Sequence, residues 1–275
     1  MMNKLLTAAL LSVVSASVSA TTITYTDFSD LSNIQLNGAT AGINPTGDNS
    51  LRLTNSLSQS GSAFLKDSIS LDNQASFSAA FDFRITNPQG ISDSDGQGAD
   101  GIVFTVQSVS NTAGGSGGGI GYQGLTKSVG VEFDTWDNGS WDENDGNHVG
   151  INIDGNINSV VQASVAPRMN NGAVWSAWVD YNGVTDLLEV RISDNGIRSA
   201  DAYISYIVDL ENVIDSSDVF IGFTSGTGAA GGYHDILNFE FHDDYNPIDV
   251  PAPGTLALFG LGLTGLGFSR RKNKS

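Results

Sequence analysis

The sequence predicts an all-β protein, an antiparallel sandwich of two sheets, and three observations carry that prediction. No stretch sustains an apolar period of 3.6 or 3.5 residues, the mark of long helices and coiled coils. Short runs that alternate apolar and polar residues recur instead, each able to bury one face and wet the other. Clusters of Gly, Asn, Asp and Ser separate the runs, as at Asn170-Asn171-Gly172, Tyr181-Asn182-Gly183 and Asp194-Asn195-Gly196. Such residues supply the backbone conformations that hairpin turns need.

Taken in order, the chain opens with Lys4, an apolar stretch from Leu5 to Val14, and Val18-Ser19-Ala20. This is the pattern of a signal peptide, residues 1–20, cut after Ala20; its apolar part is too short to span a bilayer. Strands are expected at 62–71, 76–85, 101–108, 128–135, 148–154, 176–182, 187–193, 218–225 and 235–242. Three long loops interrupt them, at 87–98, 110–124 and 225–233. Long loops on a compact sandwich are where function concentrates. The sandwich domain is expected to cover 21–245, enough chain for one sizeable core. Residues 246–275 read as a linker with prolines, an apolar glycine-rich run from Thr255 to Phe268, and a basic tail of Arg270, Arg271, Lys272 and Lys274. Such a tail holds its end on the cytoplasmic side during export.

Asp and Glu number 30 against 12 Lys and Arg, a formal net charge of −18. That excludes nucleic acid and anionic membrane surfaces as partners and invites divalent cations. There are no cysteines, so an exported chain must draw its stability from packing or from bound metal.

The acidity is concentrated. Residues 131–148, VEFDTWDNGSWDENDGNH, gather six carboxylates, three amides and His148. Alternate residues of a strand share a face about 6.5–7 Å apart, so Glu132 and Asp134 project the same way. Asn138 and Asp142 add oxygen donors on the following loop, and His148 adds nitrogen. Calcium takes six to eight oxygens; imidazole with carboxylates suits manganese or another transition ion. A plainer reading stands beside this one: a solvated acidic loop with a surface histidine, a turn at Asp100-Gly101, a flexible run at Gly114–Gly121 and a core Trp136. Trp175 and Trp178 read as core residues.

The string VEFDTWDN, followed by WD and HVGI, resembles the metal-binding segment of legume, or L-type, lectins. SFSAAFDFRI and GADGIVFTV resemble that family's strands. SGGGIGYQGL resembles its glycine loop, and VFIGFTSGTGAAGGYHDILNFEF its C-terminal end, all in the family's order over residues 22–245. The resemblance implies a jelly-roll, concanavalin-like β-sandwich that binds carbohydrate without catalysis. It implies that Glu132 and His148 hold a manganese-type ion, while Asp134 and Asp142 bridge it to calcium (Ca2+). Asn138 and the carbonyl of Trp136 would complete the calcium side. The implied sugar site has Asp100 accepting from sugar hydroxyls, the Asn138 amide and the Gly118 N–H donating, and Trp136 stacking on the pyranose. Gly228 and Ala229 belong to the implied fourth loop, and a cis peptide is implied before Asp100. His234 and Asp235 are expected to form structural hydrogen bonds.

VPAPGTLALFGLGLTGLGF followed by SRRK resembles the PEP-CTERM sorting signal of Gram-negative bacteria, with Ala252 where that signal usually has glutamate. This implies handling by an exosortase-type enzyme, only transient contact with the inner membrane, and a fate outside the cell or on its surface. The expected ligand is a glycan or exopolysaccharide. Two other readings stay open. One is a jelly-roll glycoside hydrolase using Glu132, Asp134 and Asp137. The other is a matrix or adhesin protein that keeps the sandwich without sugar binding.

Overall fold

Alternating runs bury phenylalanine, and the rings decide how two sheets meet. The computed structural model describes residues 21–38, 42–44, 47–112 and 114–248. The signal-peptide and sorting segments, 1–20 and 249–275, lie outside the described residues. One sheet runs in the order β14 (Ile204–Ile207), β13 (Leu187–Ser193), β12 (Val174–Asn182), β7 (Phe77–Gly90), β16 (Ala230–His242), β4 (Leu51–Thr54) and β3 (Gly42–Ile43). β1 (Thr22–Tyr25) also pairs with β16. The other runs β11 (Val161–Ser164), β10 (His148–Ile153), β9 (Ser128–Asp134), β8 (Gly101–Gln107), β15 (Asp218–Gly226), β5 (Ser60–Leu65) and β2 (Ile34–Gly38). There β6 (Ile69–Ser70) adds to β15. Phe81 and Phe83 of β7 cross the interface to Phe223 and Phe133, with ring centroids 4.9 and 5.0 Å apart. Aromatic pairs of this kind add about 0.5–1.5 kcal/mol each beyond the area they bury.

The structure departs from the sequence pattern in several places. β7 runs on to Gly90, and β15 and β16 extend toward each other, so the loop expected at 225–233 is a turn of Thr227, Gly228 and Ala229. The run at 62–71 breaks into β5 and β6 around Lys66–Ser68. β1, β2, β4, β11, β14 and the short helix α1 (Leu210–Ile214) had no clear signal; at four or five residues they are too short for periodicity to show. Trp175 lies in the core between the sheets. Trp178, on the opposite face of β12, does not: it packs with Ala80 and Ile248. Residues 246–248, read as the start of a linker, are therefore part of the folded unit, and the Asn246 N–H also donates to Ser78 Oγ at 3.1 Å.

His234 and Asp235 are structural, as expected. Arg52 grips Asp235 through two bonds of 2.7 and 2.8 Å. His234 Nδ1 lies 2.6 Å from Thr54 Oγ1, and burial pushes the imidazole down to about 3, with Arg52 acting in the same direction. The folded state therefore keeps His234 neutral, while the unfolded chain takes up a proton below its ordinary pKa of 6.5. Stability is lost as pH falls from 6.5 toward 3. His234→Gln should flatten the dependence of melting temperature on pH between 6.5 and 4. Parallel profiles for variant and wild type would contradict this assignment.

Candidate functional site

Val131 and Phe133 of β9, with Val149 and Ile151 of β10, face the core. Strand alternation therefore turns Glu132, Asp134 and His148 to the outer face of that sheet. Register brings them together: His148 pairs with Asp134, and Glu132 pairs with Gly150. A Cβ on Gly150 would sit 2.7 Å from Glu132 Oε1 and 2.0 Å from Ser159 Oγ, so glycine there makes room for both side chains. All three chemical residues are buried although they face outward, and one ligand atom from each lies within 4.8 Å of the others.

Glu132 is well partnered. Oε1 accepts from Ser159 Oγ at 2.5 Å and lies 3.2 Å from His148 Nε2, while Oε2 accepts from Asn152 Nδ2 at 2.5 Å. His148 Nδ1 lies 3.0 Å from the Asp145 carbonyl. Asp134 differs. Its Oδ1 accepts the Trp136 N–H at 2.7 Å, but its Oδ2 is buried with no partner among the described residues. Burial raises the Asp134 carboxyl well above the usual range, the His148 charge opposes that, and the Glu132 and Asp142 charges add to it. For His148 burial disfavours the charge, but the Glu132 hydrogen bond and the neighbouring carboxylates outweigh it and lift the imidazole to about 10. Burial likewise moves Asp142 to about 6.

The loop after β9 folds back on itself. The Asn138 N–H donates to the Asp142 carboxylate, Gln162 Nε2 donates to the Asp142 carbonyl at 2.9 Å, and a 3-10 turn spans Gly139–Trp141. Trp136 is half-buried beside it. The Asn138 side chain favours the charged form of Asp142, yet its Nδ2 is buried and completes no hydrogen bond among the described residues.

The other expected residues converge on Asn138 in steps. A Cβ on Gly118 would lie 2.3 Å from Asn138 Oδ1, so a side chain there would fill the space that Asn138 occupies. The adjoining Gly117 donates its N–H to the Thr227 carbonyl at 3.0 Å. A Cβ on Gly228 would lie 3.2 Å from Gly117 Cα and 3.8 Å from Asp100 Oδ2. Asp100, 3% exposed, follows a cis bond from Ala99, as the resemblance implied. Its Oδ2 is buried and completes no hydrogen bond among the described residues. Burial first, then the Asp142 charge, push its carboxyl up to about 7, with a smaller opposing influence from the Gly228 N–H. Ala229 is exposed at the turn, and its carbonyl accepts the Ile91 N–H at 3.2 Å.

Sequence reasoning did not single out Ser159 or Asn152 as partners of Glu132, nor Trp141, which stands 44% exposed at the end of the 3-10 turn that follows Asn138. The segment HVGINIDGNINS offered a signal for the first two only once the turn after β10 was known to bring Ser159 back over the strand.

A fold of this kind, with an acidic and imidazole cluster under converging loops, defines a sandwich whose buried Glu132, Asp134 and His148 could hold a metal ion. The chain belongs to the legume lectin domain family, whose model matches residues 20–253. A PEP-CTERM protein-sorting motif matches residues 249–272. A lectin of Pisum sativum is 31% identical over 183 residues, covering 62% of this chain and 63% of its own length. L-type lectin-domain containing receptor kinase VIII.1 of Arabidopsis thaliana is 28% identical over 178 residues, covering 62% of this chain and 24% of the kinase. The chain thus spans less than two thirds of the length of either relative. The solved structure of basic winged bean lectin with Tn-antigen matches with a TM-score of 0.69 at 25% identity, covering 82% of this chain and 98% of that one.

Proposed function

We propose that the protein is an exported, calcium-dependent carbohydrate-binding protein without catalytic activity. One observation carries the reading: Asp100 Oδ2 and Asn138 Nδ2 are both buried and neither completes a hydrogen bond among the described residues, on loops joined through Gly117, Gly118 and Gly228. One is an acceptor and the other a donor. A sugar hydroxyl offers a hydrogen to the first and a lone pair to the second, and each buried polar group left unpaired costs about 1–3 kcal/mol. Gly118 would add its N–H, Trp136 its ring, and the Gly228–Ala229 turn would tune which sugar fits.

The residues present also fit a metal. A buried carboxylate oxygen with no donor, beside two further carboxylates and an imidazole, is the setting in which a divalent cation replaces missing hydrogen bonds. Asp134, Asp142, Asn138 and the Trp136 carbonyl would hold calcium. Glu132 and His148, with the two aspartates, would hold a manganese-type ion. Bound calcium supplies the positive charge that fixes these carboxylates and the Asn138 oxygen. The chain's own part is to orient the Asn138 amide and to keep the acids close together.

Burial speaks against the hydrolase reading. Retaining hydrolysis needs two carboxyls about 5–5.5 Å apart with the sugar between them, whereas Glu132 is 1% exposed and enclosed by Ser159, Asn152 and His148. The sorting motif supports export and handling by an exosortase-type system, with the sandwich delivered outside the cell or to the surface of a Gram-negative bacterium. A glycan or exopolysaccharide is the proposed ligand.

A glycan array probed with and without calcium tests the function. Binding to a defined set of glycans that disappears with chelator is the expected result; an array blank in both conditions refutes it. Release of reducing ends from β-glucans by the wild type, lost in Glu132→Gln, would instead establish a hydrolase.

A further inference from the structure

The segment Thr135–Asn138 leaves β9 and carries both Trp136 and Asn138, so something must fix it relative to Asp100. Backbone groups and two side chains outside both proposed ligand sets do so. Thr135 donates its N–H at 2.7 Å and its hydroxyl at 3.1 Å to the Asp100 carbonyl. Arg168, beyond β11, donates through Nη2 to the Thr135 carbonyl at 3.0 Å. Asp93 accepts the Asp137 N–H on Oδ2 at 3.1 Å. Its Oδ1 accepts the N–H groups of Asp95 and Gly96 at 2.9 and 3.0 Å and lies 3.8 Å from Arg168 Nη2. The Asp93 side chain is 6% exposed and that of Arg168 21%.

Two glycines show how closely these parts fit. A Cβ on Gly96 would come within 2.7 Å of Arg168 Nη1, and one on Gly146 within 2.7 Å of Asp93 Oδ2. The loop after β7 is thereby laid across the metal loop. Its carboxylate holds one side of Trp136, at Asp137, while a guanidinium holds the other, at Thr135. Both bonds are charge-assisted, the stronger and more directional kind.

We propose that Arg168 and Asp93 are positioning residues of the sugar site: they set the placement of Trp136 and Asn138 against Asp100 and touch neither sugar nor metal. This rests on the sugar-binding reading above. Hydrogen bonds weaken steeply as their geometry departs from the optimum, so freeing Thr135–Asn138 weakens sugar binding even when every contacting side chain is present.

The test uses the mature, calcium-saturated protein and the strongest-binding glycan from the array. Arg168→Met and Asp93→Ala remove the two bonds, and Asp93→Asn keeps an acceptor for the Asp137 N–H. Sugar Kd should rise about tenfold or more in the first two, a change of about 1.4 kcal/mol, and stay near wild type in Asp93→Asn. Calcium Kd should rise less than sugar Kd, because Asp134 and Asp142 lie outside the freed segment, and circular dichroism should show folded protein. Amide hydrogen exchange at Asp137 should quicken in Asp93→Ala, a readout that involves no sugar. Folded Arg168→Met and Asp93→Ala proteins with wild-type sugar affinity overturn the positioning role alone. Sugar and calcium affinity falling together, in step with loss of folded protein, also overturn it, because that is general destabilisation. A wild type that binds no glycan overturns the sugar reading and the positioning role with it.

Discussion

Asp100→Ala abolishes sugar binding and leaves the fold intact: this is the expected result with the largest effect on function. The parts of Asp100 that serve the fold are backbone. Its carbonyl receives both bonds from Thr135, and its N–H donates to Gly226 at 3.2 Å. The side chain ends in a buried oxygen that completes no hydrogen bond among the described residues, so removing it deletes a polar group that the fold satisfies poorly. Melting temperature should stay level or rise slightly. Sugar Kd should rise at least ~100-fold, about 2.7 kcal/mol, the size expected when charge-assisted bonds to hydroxyls are lost from a buried site. Calorimetric titration beside a melting curve decides the matter. Wild-type affinity in a folded variant would place the sugar elsewhere.

The largest effect on stability is expected from metal removal. An ion that binds only the folded state adds about 4 kcal/mol at a thousandfold excess over its Kd. At about 2–4 °C per kcal/mol for a domain of this size, chelator should lower the melting temperature by roughly 8–16 °C. Asp134→Ala should erase most of that difference. The gap between loaded and chelated protein should also widen as pH rises from 5 to 7.5. In the metal-free state Asp134 is raised, Asp142 titrates at about 6 and Asp100 at about 7. The folded chain then keeps protons that the unfolded chain, with Asp near 3.8, has already released. Stability without metal therefore falls across this window. His148, raised to about 10, acts in the same direction above its ordinary 6.5. Chelator without effect, on protein shown by elemental analysis to start loaded, would exclude the metal reading; calcium found alone would leave His148 structural.

Much of this was legible in the chain, for reasons that differ by element. Strands such as 101–107 and 128–134 declare themselves because large apolar residues recur at every second position, although every residue of both is buried. Glu132, Asp134 and His148 were legible together because strand period and a single hairpin place them on one face. What stayed hidden depended on long-range pairing. β4, only Leu51–Thr54, is a strand because β16 lies beside it. The turn at 227–229 is short because β7 and β5 extend the ladders of their partners, which glycine-rich composition cannot foretell. Asp93 and Arg168 lie 75 residues apart in sequence, come within 3.8 Å of each other, and act on the amide of Asp137 and the carbonyl of Thr135. No side-chain pattern encodes a backbone acceptor.

The packing of Ile248 against Trp178 and Ala80 has a mechanical meaning. A pull on the C-terminal end of the described chain reaches this contact first, together with the bonds from Asn246 to Ser78 and from Tyr245 to Glu189. These attachments succeed one another along residues 245–248, so they peel one at a time and yield at low force. Behind them the load passes to β16, which is zipped along its length to β7 and braced on its other side by β4 and β1. There the backbone ladders tie many residues to both neighbours at once. The tail thus acts as a sacrificial strap in front of a rigid anchor: tension on the terminus uncovers Trp178 well before it disturbs the loops around Asp100 and Asn138.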